Sequence, residues 1–188
     1  ICRTYEWSQA DVDTQNALAR AEQALKTARL FEVKDLKLTP DFETLAKAQT
    51  QVQLFEQAHN LAHEHIAHFE RLSPRLQGIL QSGKDVTHAQ YDAALHHIDR
   101  CRQQLQTVFQ DVDVLLAPSA QGEAPENLEN TGDPVFCRIW TVLHTPAINV
   151  PAGLGAKGMP IGLQVVGAVG AGITVTGAEG LLPMIFTT

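Results

Sequence analysis

Chemistry at neutral pH needs a nucleophile with a base beside it, or a cluster of metal ligands. The serines of this 188-residue chain are Ser8, Ser73, Ser82 and Ser119. None adjoins another serine, and none lies in a glycine-rich loop whose backbone N–H groups would hold an oxyanion. Lys26, Lys34, Lys37, Lys47, Lys84 and Lys157 fall in helical, turn or exposed contexts. Histidines are denser: His59, His63, His65 and His68 sit close together, with His88 and the pair His96-His97 further on. His59 and His63 are four apart, so on a helix they share a face and could co-ligate a metal. The pattern His63-Glu64-His65-Ile66-Ala67 nevertheless puts alanine where His-Glu-x-x-His requires its second histidine. A solvated polar face is the plainer reading, and no metal site is assigned. Cys2, Cys101 and Cys137 are odd in number, far apart and without a Cys-x-x-Cys. They argue against a disulfide framework or a thiolate zinc site and for a reducing, cytoplasmic setting. Cys137 has His144 seven residues on, but no orienting acid follows in a recognisable order; Cys101 reads as structural.

Elements able to position such residues are legible in the hydrophobic spacing. Ser8 or Asp11 caps a first helix with an apolar stripe of Val12, Ala17, Leu18, Ala21, Leu25 and Ala28. Phe31 to Leu38 reads as a short strand. Thr39 or Asp41 then opens a long helix to about Arg71, with Leu45, Ala48, Val52, Phe55, Ala62, Ile66 and Phe69 at three- and four-residue intervals. Ser73-Pro74 stops it, since the residue before proline avoids the α region. A short helix from Pro74 to Gln81 is expected to end at Gly83 as its C′ residue. Thr87 caps a helix over 89–110 that carries Tyr91, Leu95, Ile98, Leu105, Val108 and Phe109 inward. A polar loop, 119–132, precedes a helix over 134–143 with proline in its first turn, packing Val135, Phe136, Ile139, Trp140 and Leu143. Ala147 to Val150 and Ile161 to Val166 are apolar on successive residues, so both strands should be covered on both faces. The 155–160 segment between them is a Gly/Pro turn.

The composition is that of one globular domain: 44% hydrophobic residues and a net charge of −7. That charge, with arginine and lysine scattered, argues against a nucleic-acid partner. No apolar run is long enough to span a membrane, and no signal peptide is evident.

Several pieces in register carry a resemblance. They are Asp113-Val114-Leu115-Leu116-Ala117-Pro118, then Trp140-Thr141-Val142-Leu143-His144-Thr145-Pro146-Ala147-Ile148-Asn149-Val150-Pro151-Ala152-Gly153, then Pro160-Ile161-Gly162-Leu163-Gln164-Val165-Val166-Gly167. Upstream, Leu72-Ser73-Pro74 with Gly83, and the opening Cys2-Arg3-Thr4, fit the same order. Together they resemble the C-terminal portion of the amidase signature family, hydrolases of carboxamide C–N bonds. The resemblance implies an α/β fold, a mixed central sheet covered by helices, present only as the C-terminal part of the amidase signature fold. It implies one partial domain over 1–188. It also implies an acyl-Ser mechanism whose Ser-Ser-Lys set would precede Ile1, so that this chain carries no catalytic residue, needs no cofactor and should be inactive alone. The matching pocket-wall positions are Phe136, Cys137, Trp140 and Thr141, with a small-molecule amide as the substrate of the intact enzyme. Strand edges left open by a partial sheet predict self-association. The rival reading is a non-catalytic binding or structural module on the same scaffold. Residues 168–188 depart from the family pattern: four glycines between Gly170 and Gly180, with Pro183, disfavour the amphipathic helix usual there.

Overall fold

The computed structural model describes residues 1–170. The tail expected to be atypical therefore lies, from residue 171 on, outside the described residues. The chain divides into two compact units, Asp41–Gln103 and a larger one made of Ile1–Pro40 with the chain from Gln104 onward.

In the larger unit, α1 (Val12–Ala28) starts where Asp11 Oδ1 accepts from the Thr14 N–H at 2.8 Å, a side-chain cap. Thr14, Ala17, Leu18, Ala21 and Leu25 form its buried stripe. Val12, expected in that stripe, is 66% exposed. It lies two residues before Thr14, about 200° around the helix at 3.6 residues per turn. The stripe packs on a three-stranded antiparallel sheet of β1 (Leu115–Pro118), β2 (Ala147–Leu154) and β3 (Pro160–Val166), in the order β1-β3-β2. Alternate residues reach α1: Leu116 from β1, Val150 and Ala152 from β2, Ile161, Leu163 and Val165 from β3. A parallel bridge, Cys2 to Leu36, joins this set, with the Cys2 N–H donating to Leu116 O at 2.9 Å. The α/β reading holds: helices cover a small sheet whose two ladders are antiparallel, and the parallel Cys2–Leu36 bridge lies outside its strands.

The expected strand over 31–38 reduces to that bridge. Lys34, Asp35 and Lys37 break up its apolar face, and Leu30 and Phe31 are exposed. β3 is buried on both faces as expected, but β2 is not: Ala147, Asn149 and Pro151 are exposed. On the opposite face of β3, Gln164 Nε2 donates to Phe136 O of α6 (Val135–Val142), which buries Val135, Phe136, Ile139 and Trp140. At the β2–β3 turn, Gly158 has φ +81° and donates to Gly155 O at 3.0 Å. Glu123, in the 119–132 loop, accepts at Oε1 from the Lys157 N–H at 3.0 Å and the Met159 N–H at 2.9 Å. Asp13 accepts from Ala156 N–H at 2.8 Å.

In the smaller unit the single long helix expected over 41–71 is four pieces. A 3-10 turn (Pro40–Thr44) leads into α2 (Leu45–Asn60), then α3 (Ala62–Ala67) and another 3-10 turn (Phe69–Arg71). α3 fully buries no side chain, and Ile66 is 84% exposed, so little apolar burial favours a helix continuous past Leu61. α4 (Pro74–Lys84) begins with Ser73 Oγ accepting from Leu76 N–H and proline in the first turn. Gly83, expected just beyond its end, lies within it and is buried. Its role is close approach: a Cβ there would lie 2.7 Å from Ala58 Cβ of α2 and overlap the Leu54 carbonyl oxygen more deeply. α5 (His88–Val108) opens with a reciprocal cap, Gln90 N–H to Thr87 Oγ1 at 3.2 Å and Thr87 N–H to Gln90 Oε1 at 2.8 Å.

Candidate functional site

Strand parity builds the site. In β2, Val150 and Ala152 point to α1, so Ala147 and Asn149 point to the opposite face. In β3, Leu163 points to α1 and Gln164 away from it. The register pairs Gln164 with Asn149 on one side and Ala117 on the other. Beside it Ser119 follows the last residue of β1 and donates its N–H to Gly162 O at 3.4 Å. On this face lies a cleft of about 530 Å³, lined by Ser119, Cys137, Trp140, Thr141, Thr145, Ala147, Asn149 and Gln164. The volume suits a small ligand.

Gln164 is the buried polar anchor of the floor. Its Nε2 donates to Phe136 O at 2.8 Å and to Pro118 O, tying α6 and β1 to β3. Two carbonyl partners require a donor, which fixes the orientation of the amide. On α6, Cys137 Sγ donates to Ser119 O at 3.2 Å, and Thr141 Oγ1 to Cys137 O at 3.0 Å. Thr145 Oγ1 donates to Trp140 O at 3.1 Å. The Trp140 indole N–H is buried without an acceptor. Gly162 lets Ser119 and Asn149 close over its backbone: a Cβ there would stand 2.7 Å from Ser119 Oγ and 3.0 Å from Asn149 Nδ2, with Asn149 Oδ1 nearer still.

Of the four residues named as pocket wall, Cys137, Trp140 and Thr141 line this cleft. Phe136 does not; it is fully buried, and only its carbonyl serves the floor, through Gln164. Asn149, Gln164, Thr145 and Ala147 were not singled out from sequence. The period-two alternation of β2 and β3 would have found the first two.

The other chemically suggestive residues do not assemble. Burial pushes the thiols up, Cys2 to about 12 and Cys101 to about 11, and raises Cys137 as well. None is poised as a thiolate nucleophile. His59 Nδ1 pairs with Phe55 O at 2.8 Å, and its ring packs 4.1 Å from the Phe55 ring. The helix break at Leu61 separates it from His63, whose ring lies 5.6 Å from that of His68. Among the described residues, no three His, Cys, Asp or Glu side chains converge as metal ligands, and no helix is long and apolar enough to cross a membrane.

Known proteins supply the context. The chain is similar to a glutamyl-tRNA(Gln) amidotransferase subunit of Ralstonia nicotianae, 33% identical over 93 residues, 44% of this chain and 19% of that protein. To the corresponding protein of Novosphingobium aromaticivorans it is 42% identical over 66 residues, 31% of this chain and 13% of that one. The chain thus matches about a fifth or less of the length of these curated relatives. Among solved structures, an amidase superposes with a TM-score of 0.83 at 26% identity, covering 95% of this chain and 43% of that one. A 6-aminohexanoate cyclic dimer hydrolase complexed with substrate shares the fold, with a TM-score of 0.66 at 20% identity, covering 95% and 43%. The amidase family model matches residues 1–172. With that match, the ordered sequence blocks and the superposed fold, the chain belongs to the amidase signature family.

Proposed function

We propose that this chain forms one wall of the substrate cleft of an amidase-type hydrolase. The intact enzyme would cleave a carboxamide C–N bond through an acyl-Ser intermediate whose serines and lysine lie outside residues 1–188. The observation that carries the reading is the cleft itself, where Cys137, Trp140 and Thr141 meet Asn149 and Gln164 on the open face of the sheet. No serine in that wall has the adjacent base an acyl transfer needs: among the described residues Ser119 is the only serine lining it, and no lysine or histidine lines it. The reading treats the chain as a single partial domain in a cytoplasmic enzyme, with Phe136 supporting the wall rather than touching substrate.

Purified 188-residue protein is expected to leave simple amides such as benzamide unhydrolysed. Turnover that disappears on mutating a residue of this chain would overturn the proposal. Self-association belongs to the same reading, because β2 pairs on one side only among the described residues. Light scattering on an eluting size-exclusion peak tests it, and a clean monomer at tens of micromolar would count against it.

A further inference from the structure

We propose that this cleft selects uncharged amides over amides that also carry a carboxylate or an ammonium group; the inference rests on the cleft being a substrate wall. None of the eight lining residues is charged. The cation next to them on α6, Arg138, is committed to Asp133 at 2.9 Å. A charged substituent entering the cleft would shed water and meet no counter-charge on this wall, the costly case for burial.

A neutral amide meets matching groups. Asn149 presents an exposed carboxamide, which offers a donor and an acceptor side by side, as the ligand does. Ser119 Oγ and the Asn149 side chain converge over Gly162, where a Cβ would overlap both, so they stand together in the cleft wall. Gln164 Nε2 is already occupied by the Phe136 and Pro118 carbonyls. The group it leaves for a ligand is the amide oxygen, an acceptor suited to a ligand N–H. Trp140 and Ala147 supply apolar surface for the rest of the molecule.

The Trp140 indole N–H provides a reporter inside the wall. Its resonance is identified in nitrogen-labelled protein by comparison with Trp7→Phe, since Trp7 and Trp140 are the only tryptophans. Titration with benzamide, 4-carbamoylbenzoate and glutamine is expected to give a saturable shift with benzamide and at least tenfold weaker binding of the two charged amides. Gly162→Ala, which would displace Ser119 Oγ and the Asn149 side chain, and Asn149→Asp, an exposed and isosteric change, are each expected to weaken benzamide severalfold. Equal binding of 4-carbamoylbenzoate would overturn the selectivity and leave the cleft as a substrate wall. No saturable shift with any of the three would overturn both. Unchanged benzamide affinity in both variants would overturn the placement of the ligand against Asn149 and Ser119.

Discussion

Two glycines of α4 make a paired test of how the smaller unit is packed. Gly78 is exposed, and a Cβ built there meets nothing within 4 Å. Gly83 is buried five residues on, where a Cβ would lie 2.7 Å from Ala58 Cβ and closer to the Leu54 carbonyl oxygen. Helix propensity favours alanine over glycine by about 0.8–1 kcal/mol at either position. At Gly78 nothing opposes that gain, so Gly78→Ala is expected to stabilise by about 0.5–1 kcal/mol. At Gly83 the obstructing atoms are backbone and a methyl group, which cannot rotate away. α2 and α4 must separate, losing close packing at a cost of about 1–3 kcal/mol or more. Gly83→Ala is therefore expected to destabilise by about 1–3 kcal/mol net, since steric overlap this deep sits at or above the top of that range before the propensity gain is subtracted. The assay is urea denaturation followed by circular dichroism, with midpoints converted through a common slope. The variants should move in opposite directions and differ by about 1.5–4 kcal/mol. Midpoints shifting together in either direction would refute the close-approach argument.

Three further outcomes follow from ion pairs, thiols and the loop clamp. Glu22 is held below the usual 4.5 by Lys26, then Arg3. A depressed carboxylate stabilises the fold above its unfolded pKa and loses that contribution as pH falls through the folded one. Stability should therefore fall on acidification from about pH 4.5 downward, and Glu22→Gln should flatten that limb of the thermal-melting profile. In native protein at about pH 8, iodoacetamide should leave the fully buried Cys2 and Cys101 unmodified and label the half-buried Cys137 slowly; mass spectrometry after unfolding should show all three labelled. Glu123→Ala removes the acceptor shared by the Lys157 and Met159 N–H groups. It should cost about 1 kcal/mol, a partly exposed charge-assisted pair being worth less than a buried one, and should quicken proteolysis within 119–133.

The sequence was most readable where local chemistry and burial agree. Asp11, Ser73 and Thr87 cap the helices they precede, and the apolar face of α6 is buried as its spacing predicts. Legibility failed where one apolar residue has two explanations. Ile66 continued a helical spacing, yet it is 84% exposed, and periodicity records type without recording a partner. Gly83 read as a terminator because a glycine near a helix end usually is one; the approach of α2 that requires it is a tertiary fact. At the site, the resemblance pointed to α6 and reached Cys137, Trp140 and Thr141. Asn149 stayed hidden inside an apparently continuous apolar run, Ala147 to Val150, whose two faces prove to be unlike.

The grip of Glu123 on the β2–β3 turn has an implication for how this region tolerates change. The carboxylate addresses backbone N–H groups of residues 34 and 36 positions away, so it is indifferent to most side chains there. Ala156, Lys157 and Met159 can be exchanged without removing a donor, provided none becomes proline. Gly155 and Gly158 are the exceptions: a Cβ on Gly155 would lie 2.6 Å from the Glu123 side chain, and Gly158 holds a φ of +81° that favours glycine. Length is another matter: one residue inserted between 155 and 159 would carry the donors out of reach and free the loop that begins at Ser119. Away from its two glycines the turn is thus permissive to substitution and intolerant of insertion, and a loop graft intended to reshape the cleft must bring its own turn of matching length.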